Sequence, residues 1–572
     1  MPTLDWIGKK AVVNHHREVP YRLLHCDKGH SAGDVDAGNL LVQGDNLLAL
    51  KALLPYYAGK VKCIYIDPPY NTGNENWVYN DAVNSPEILQ WLGRTVGKEA
   101  EDLSRHDKWL CMMYPRLALL KEFLSKDGVL MMSIDDNEGA FAKALLNEIV
   151  GPQNFIAQLV WEKGRKNDAK LFSVGHEYIL VYARSRAELG TTMWRAPKDG
   201  VPEIAAEYHR LRKVHTEDYD AISKGLAAFY KRLPKGHAAK KYSRAKNADK
   251  RGVWRDNNIT WPGGGGPTYP ILHPRTGKPC KVPEDGWRFI EESMKQKIED
   301  DWVVFREDHK RPPFLKSYIY MIDDSETDEE INEGKKEVLG SVFYRHSQPS
   351  LDVMKAIFGE KIFPNPKDHE ILARLIRYVT NNEHDCLILD SFAGSGTTGH
   401  SVLALNKADG GNRRFILAEM DETICRDVTA QRLTRVIDGY SDVAGLGGGY
   451  RFCTLGDPLF DELGQIREGV KFPDLAAHIF FTETGTPIPQ RSTGKTPLLG
   501  VHDGRAVYLL FNGVLGDKRP NGGNVLTGDV LRRLPAHDGP KIIYGESCRL
   551  GADRLRREGV VFKQVPYEIK VS

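Results

Sequence analysis

Cys63-Ile64-Tyr65-Ile66-Asp67-Pro68-Pro69-Tyr70-Asn71-Thr72-Gly73 is the stretch on which the fold turns. Four β-favouring residues lead into an acid, two prolines, an aromatic ring and a glycine-ended turn. The apolar run predicts a buried strand, and the prolines end it because neither can donate to a sheet ladder. Past the strand the prolines make a stiff loop at its carboxyl end, where open α/β sheets hold their ligands. The loop offers one carboxylate, a proline carbonyl and a flat aromatic face. Those groups suit an exocyclic amine: two acceptors for its protons and a platform for its ring. Read alone, the run also fits a strand closed by a Pro-Pro turn with a solvated Asp67, since short motifs recur by accident.

A second stretch narrows the choice. Leu387-Ile388-Leu389-Asp390-Ser391-Phe392-Ala393-Gly394-Ser395-Gly396-Thr397-Thr398-Gly399-His400 is again a strand, then a small-residue turn, then a helix start. Gly394, Gly396 and Gly399 satisfy the letters of G-x-G-x-x-G, so a nicotinamide dinucleotide would also fit this turn. A helix N-terminus receives a carboxylate as readily as a phosphate. Glycine does not decide between them; the Asp67 loop does.

With both stretches in view, the chain resembles the amino-methylating DNA methyltransferases, whose signatures are DPPY and FxGxG. The order here, catalytic motif before cofactor motif, matches the permuted beta class. Within it the chain is most similar to the modification subunits of type III restriction systems. The resemblance implies an α/β fold: a doubly wound, Rossmann-like sheet with an inserted target-recognition domain and a small C-terminal α/β module. It implies methyl transfer from S-adenosylmethionine to N6 of an adenine flipped out of double-stranded DNA. N4-cytosine methylation is the near alternative, and Asp67 in place of serine favours adenine. A catalytically silent subunit that binds cofactor and DNA is a further one.

The resemblance also assigns roles. Asp67, Pro68, Pro69 and Tyr70 form the catalytic loop, with Asp67 and the Pro68 carbonyl accepting from the amine and Tyr70 stacking on the base. The cofactor lies against Asp390, Phe392, Ala393, Gly394, Ser395, Gly396, Thr397 and Thr398. Glu419, ending the strand Phe415–Glu419, takes the ribose hydroxyls, and Asp45 accepts from the adenine amino group. Asp45 also reads as an ordinary helix N-cap. The block around Phe363 to Lys367 corresponds to one that packs along the methionine end of the cofactor, although Asp368 stands where the family has a second proline.

Bulk properties set the outer limits. With 572 residues the chain is long enough for several domains. A net charge of +2 means that any nucleic-acid site is a local basic surface. Eight cysteines are scattered without a CxxC pair or a Cys/His cluster of metal-ligand spacing, as expected of reduced thiols and no zinc site. Residues 1–10 hold no apolar signal core, so the expectation is a cytoplasmic protein of a bacterium or archaeon, nucleoid-associated and without a membrane anchor.

In chain order, 1–38 reads as an N-terminal arm and 39–183 as the catalytic half of the methyltransferase domain. Residues 184–345 form the recognition insert, 346–442 the cofactor half, and 450–572 the C-terminal module. Gly73 to Arg105 reads as a flap, and Asp107 to Leu124 as a helix kinked at Pro115. Asp135 and Asp136 read as a turn rather than a metal pair. The basic loop from Lys163 to Asn167 is suited to phosphate. Lys231 to Arg255 holds ten Lys or Arg against one acid, Asp249, with Tyr242 and Trp254 interleaved. Charges for phosphate and aromatics for bases are what a groove-reading surface needs. Gly263 to Gly266 reads as a hairpin tip or clamp, and Asp323 to Glu330 as an acidic surface loop. Gly494-Lys495-Thr496 is not a Walker loop, because position 489 is proline. The resemblance therefore implies a homodimer that works with a separate helicase-nuclease subunit, docked through the C-terminal module.

Overall fold

The computed structural model describes residues 3–72, 90, 93–94, 104–164, 171–234, 237–322, 336–381, 383–490, 492–514, 516–566 and 569. Most of the flap expected from Gly73 to Arg105 lies outside these, as do Arg165 to Asn167 of the basic loop and the acidic run 323–330. Two compact units emerge: Met1–Met193 with Gly340–Ser572, and Trp194–Leu339.

The first unit is built on a ten-stranded sheet. Its strands are β1 (Arg22–Gly33), β2 (Leu40–Gln43), β3 (Val61–Ile66), β4 (Leu124–Ile134), β5 (Phe155–Glu162), β6 (His176–Ala183), β7 (Val342–Tyr344), β8 (Leu387–Asp390), β9 (Arg414–Glu419) and β10 (Gly449–Pro458). Their spatial order is β1-β10-β2-β9-β8-β3-β4-β6-β5-β7. The six strands from β10 to β4 run parallel, while β1 and β6 run against their neighbours. The central strands are apolar on both faces, as a sheet covered by helices requires. Ile64, Ile66, Leu130, Met132, Leu389 and Ile416 are all buried in one core with side chains of two long helices.

Those helices are α1 (Asn46–Tyr57) and α2 (Arg105–Phe123). Asp45 caps α1 by accepting from the Leu47 and Leu48 amides, and Ser104 and Asp107 form a reciprocal capping box at the start of α2. Pro115 sits inside α2, which continues past it as one helix, so the chain does not restart there. Helices α3 (Gly139–Ile149), α4 (His369–Val379) and α5 (Thr397–Asp409) complete the set that frames the site.

Three expected boundaries fall inside the sheet, one of them because residues 342–344, read as the end of the insert, form β7 and pair with β5. Residues 22–33, read as part of an arm, form the edge strand β1, which pairs antiparallel with β10. In turn β10 runs parallel to β2, with Tyr450, Phe452 and Cys453 buried, so the sheet extends past residue 450. A partner strand more than four hundred positions away leaves no local mark. Beyond it, Leu498–His502, Arg505–Leu509, Lys541–Gly545 and Val560–Gln564 form a second, four-stranded sheet. Its inner residues Leu509, Ile542 and Tyr544 share a core with Leu475, Ile479 and Phe480 of the helix Phe472–Thr484.

The second unit packs helices Val201–His215 and Tyr219–Arg232 through Ile204, Tyr208, Ile222 and Leu226. It also holds a four-stranded sheet ordered Val303–Val304, Phe314–Met321, Gly252–Asn257, Asn247–Asp249. The glycine-rich tip is pinned rather than free: Gly266 donates to the Asp285 carbonyl at 2.8 Å and Trp261 to the Gly286 carbonyl at 3.1 Å. A Cβ on Gly266 would stand 2.8 Å from the Asp285 and Trp287 carbonyl oxygens, which leaves room only for glycine.

Candidate active site

Strands β3 and β8 lie side by side although more than three hundred residues separate them. From β3 the chain winds through α2 to β4 on one side; from β8 it winds through α5 to β9 on the other. This is the switch point of the sheet, where two crossovers diverge and leave a crevice at the strands' carboxyl ends. Asp67 follows β3 and Asp390 ends β8, so both carboxylates meet there. They line a cavity of about 300 Å³ with Pro68, Pro69, Tyr70, Thr72, Phe363, Lys367, Phe392, Ala393, Gly394, Ser395, Thr397 and Thr398. All four residues of the expected catalytic loop are among them.

The catalytic loop is held from beneath. Trp109 of α2 donates its indole N–H to the Pro69 carbonyl at 2.7 Å. Asn71 adopts a left-handed backbone, φ 56°, which asparagine tolerates better than most residues. Its side-chain amide donates to the buried Glu138 carboxylate and, at 3.1 Å, to the Arg105 carbonyl. His106 Nδ1 lies 2.7 Å from the same Glu138 oxygen. Asp135 and Asp136 serve the turn, as expected: Asp135 accepts from Asn137, and Asp136 from the Tyr178 hydroxyl at 2.8 Å.

Around the aromatic ring stands a cluster of four charges. Lys367 Nζ is 2.6 Å from Asp67 Oδ2, 3.7 Å from Glu177 Oε2 and 5.0 Å from the centre of the Tyr70 ring. Lys163 Nζ is 2.6 Å from Glu177 Oε2, which also accepts the Tyr70 hydroxyl at 3.0 Å. Burial works against the charge on Lys367, but Asp67 and Glu177 outweigh it and hold its pKa above the ordinary value. Burial likewise opposes ionisation of Glu177, and the two lysines outweigh it and hold that carboxyl below its ordinary value. Burial and the same carboxylates push the Tyr70 phenol well up, so it remains a donor. Two cations and two anions balance, yet Asp67 Oδ1 and Glu177 Oε1 are buried without a hydrogen bond from the described residues.

Sequence reasoning missed Glu177 and Trp109 here, gave Lys163 to phosphate where the fold pairs it with Glu177, and left Lys367 without a contact. The traces were present: a glutamate opening the apolar run Tyr178–Ala183, and a lysine in the proline-rich block before α4.

On the opposite wall, Asp390 organises the glycine turn. Its Oδ1 accepts the Phe392 amide at 2.9 Å and its Oδ2 the Thr398 hydroxyl at 2.5 Å. Burial nevertheless pushes this carboxyl up to about 7. Gly394 and Gly396 have φ of 52° and 76°, left-handed values that glycine adopts without strain. A Cβ on Gly396 would meet Thr429 at 3.1 Å, so its smallness serves packing against the helical segment Ile424–Ala430 that follows β9. From behind, the buried Arg432 guanidinium donates to the Ser395 carbonyl at 3.1 Å and the Thr397 hydroxyl at 2.8 Å. Its other amino group lies 3.2 Å from His400, whose ring stacks on His369 with centres 4.0 Å apart. Burial and then Arg432 keep both imidazoles neutral.

Two expected cofactor contacts do not reach this cavity. Glu419 is buried and accepts the Gly394 amide at 2.8 Å and the Asp421 amide at 3.0 Å, so its carboxylate braces the turn. Asp45 Oδ1 caps α1, and its Oδ2 pairs with Arg116 at 2.8 Å. Neither lines this cavity.

A family profile described as DNA methylase matches residues 61–431. The type III restriction-modification enzyme EcoP15I Mod subunit of Escherichia coli is 32% identical over 436 residues, 73% of this chain and 64% of that protein. The StyLTI Mod subunit of Salmonella typhimurium is 29% identical over 543 residues, 88% of this chain and 73% of that protein. The EcoPI Mod subunit of Escherichia phage P1 is 31% identical over 456 residues, 75% of this chain and 65% of that protein. The chain thus spans slightly under two thirds of the EcoP15I and EcoPI proteins it matches.

Proposed function

The chain belongs to the DNA methylase family, and on that premise we propose that it transfers a methyl group from S-adenosylmethionine to N6 of an adenine turned out of double-stranded DNA, as the modification subunit of a type III-like system. The observation that carries this reading is Asp67 Oδ1. It belongs to a residue that lines the switch-point cavity and accepts no hydrogen bond from the described residues, while its sister oxygen is already held by Lys367. An unsatisfied buried acceptor is costly unless a ligand supplies a proton to it. An exocyclic amine does that.

The residues present fit the cofactor. The first turn of α5 presents a helix N-terminus that suits a carboxylate, and Ser395 and Thr397 line the same wall. S-adenosylmethionine, when bound, supplies a methyl group already activated on a sulfonium. The chain's own residues do the rest. Asp67 Oδ1 accepts one amine proton and the Pro68 carbonyl the other, which favours a pyramidal nitrogen with a freer lone pair. Trp109 occupies the Pro69 carbonyl and fixes the pitch of the loop. Tyr70, tethered through its hydroxyl to Glu177, supplies the stacking face. Once methylated, the nitrogen is acidic and sheds a proton to Asp67 or water, so no strong base is needed. The gain is chiefly one of alignment.

That relatives are named as Mod subunits of restriction-modification enzymes supports work with another subunit, which this reading takes to be a helicase-nuclease beside a homodimer of this chain, and the basic stretch of the inserted unit supports DNA contact. Lys231, Arg232, Lys241, Arg244 and Lys250 are exposed, as phosphate contacts must be. Methylome sequencing of DNA from cells expressing the protein, beside an Asp67→Ala control, tests the reading. N6-methyladenine at one short motif, absent in the control, is expected. N4-methylcytosine would transfer the proposal to the other amine, and no modified base at all would overturn it.

A further inference from the structure

Cys26 and Cys453 face each other across the antiparallel pairing of β1 with β10. Their sulfurs stand 3.2 Å apart, although 427 positions separate the two residues in the chain. Directly opposed residues of antiparallel strands have Cα atoms about 4.5–5.5 Å apart, inside the roughly 4.4–6.8 Å that a disulfide spans. A movement of about 1 Å brings the two sulfurs to a bonding distance of about 2.05 Å. The register of the sheet, rather than any local motif, supplies this pair.

The two thiols differ in access. All eight cysteines lie among the described residues; Cys26 alone is exposed, whereas Cys453 is 1% exposed. Burial pushes the thiols of Cys63, Cys111, Cys280, Cys386 and Cys425 up, which keeps them protonated and inert. Cys26 and Cys453 also line a cavity of about 260 Å³, with Arg22, Leu24, Leu40 and Arg451 among its walls. It shares no lining residue with the Asp67 cavity, so the pair has no part in the site described above. An exposed thiol beside a buried one is the arrangement of a reacting cysteine and its resolving partner.

We propose that Cys26 and Cys453 form an oxidation site, at which hydrogen peroxide converts two thiols into a disulfide that ties β1 to β10. The inference stands apart from the methyl-transfer reading. Cys26, having given its proton to solvent, attacks one oxygen of the peroxide; the O–O bond breaks, and the departing hydroxide takes up a proton to become water. That leaves a sulfenic acid on Cys26. Cys453 Sγ then attacks Cys26 Sγ: the S–S bond forms, the S–O bond breaks, and the leaving hydroxide combines with the Cys453 proton as a second water. Two electrons pass from the thiol pair to the peroxide, and a thiol reductant reverses the bond by exchange. Because β1 is the terminal strand of its sheet, the tie closes off its local opening.

The experiment treats the native full chain with hydrogen peroxide, blocks remaining thiols by alkylation and digests with trypsin without reduction. One cross-linked product is expected, residues 23–28 joined to residues 452–467, with both thiols lost together and before that of Cys548. Reduction should restore both. Cys26→Ser should leave Cys453 reduced, because a buried thiol does not meet the oxidant. Cys453→Ala should arrest the reaction at the Cys26 sulfenic acid, read by dimedone labelling; Cys26→Ser carries the test if that core variant does not fold. Amide exchange across residues 22–33 should slow about tenfold or more in the disulfide form. Oxidation of Cys26 without Cys453 in the wild type overturns the proposal. So does the absence of a cross-link, a Cys26–Cys26 link between two chains, or loss of the Cys453 thiol in Cys26→Ser. Unchanged exchange across 22–33 overturns the disulfide as a tie on the edge strand.

Discussion

Lys367 Nζ lies 2.6 Å from Asp67 Oδ2, joining residues 300 positions apart at the meeting of β3 and β8. The pair neutralises a half-buried carboxylate through one oxygen and leaves Oδ1 without a hydrogen bond from the described residues. It also ties the block before α4 to the catalytic loop, so the two walls of the cavity are fixed to each other. A buried ion pair is poor evidence of stability, but losing one partner leaves an uncompensated charge.

Lys367→Met should therefore abolish most turnover. We expect kcat to fall about a hundredfold or more, with melting temperature also reduced, because breaking such a pair costs roughly 3–5 kcal/mol. Lys367→Arg should recover part of the rate. Steady-state kinetics on motif DNA check this; an unaltered kcat in the methionine variant would show that the pair is only structural.

Asp67→Ala should remove methyl transfer while leaving cofactor affinity within about threefold, because the cofactor wall is built from the Asp390 turn. Calorimetric titration with S-adenosylmethionine beside a transfer assay separates the two. Equal loss of both functions would contradict the division of labour.

Tyr70 and Glu177 make a graded test. Tyr70→Phe loses one hydrogen bond to a carboxylate, a cost of about 1.5–3 kcal/mol at most. Glu177→Gln leaves Lys163 and Lys367 sharing a single carboxylate, so its destabilisation should be larger and its transfer rate lower. Chemical denaturation of both variants gives the order, and a reversed order would refute the charge cluster as the organising feature.

Asp390 predicts a pH dependence of stability. Burial raises this carboxyl from 3.8 to about 7, so the folded chain keeps a proton that the unfolded chain has released. The stability contributed by that proton is complete below about pH 3.8 and lost as pH rises through about 7. Between pH 5 and 8 the wild type should lose about 2–3 kcal/mol that Asp390→Asn does not. Denaturation at each pH reads the difference; parallel curves for the two proteins would exclude Asp390 as the source.

Much of this protein is written locally. The apolar runs before Asp67 and Asp390, the prolines that end one and the glycines that turn the other, the N-caps at Asp45 and Ser104, and the order of the two motifs are all properties of short segments. Backbone sterics and hydrophobic periodicity act over a few residues, so they are legible without coordinates. What needed the tertiary structure is which distant groups meet. The sequence shows neither that β3 and β8 are neighbours, nor that residues 22–33 and 449–458 finish the sheet. The partners of each carboxylate were equally hidden. Asp45 and Glu419 stand at strand ends, and only the folded chain shows that Arg116 pairs with the one and the Gly394 amide donates to the other. Asp67 keeps one oxygen free only because Lys367 takes the other. Burial and charge pairing depend on neighbours in space, and the chain sets those by folding rather than by spacing.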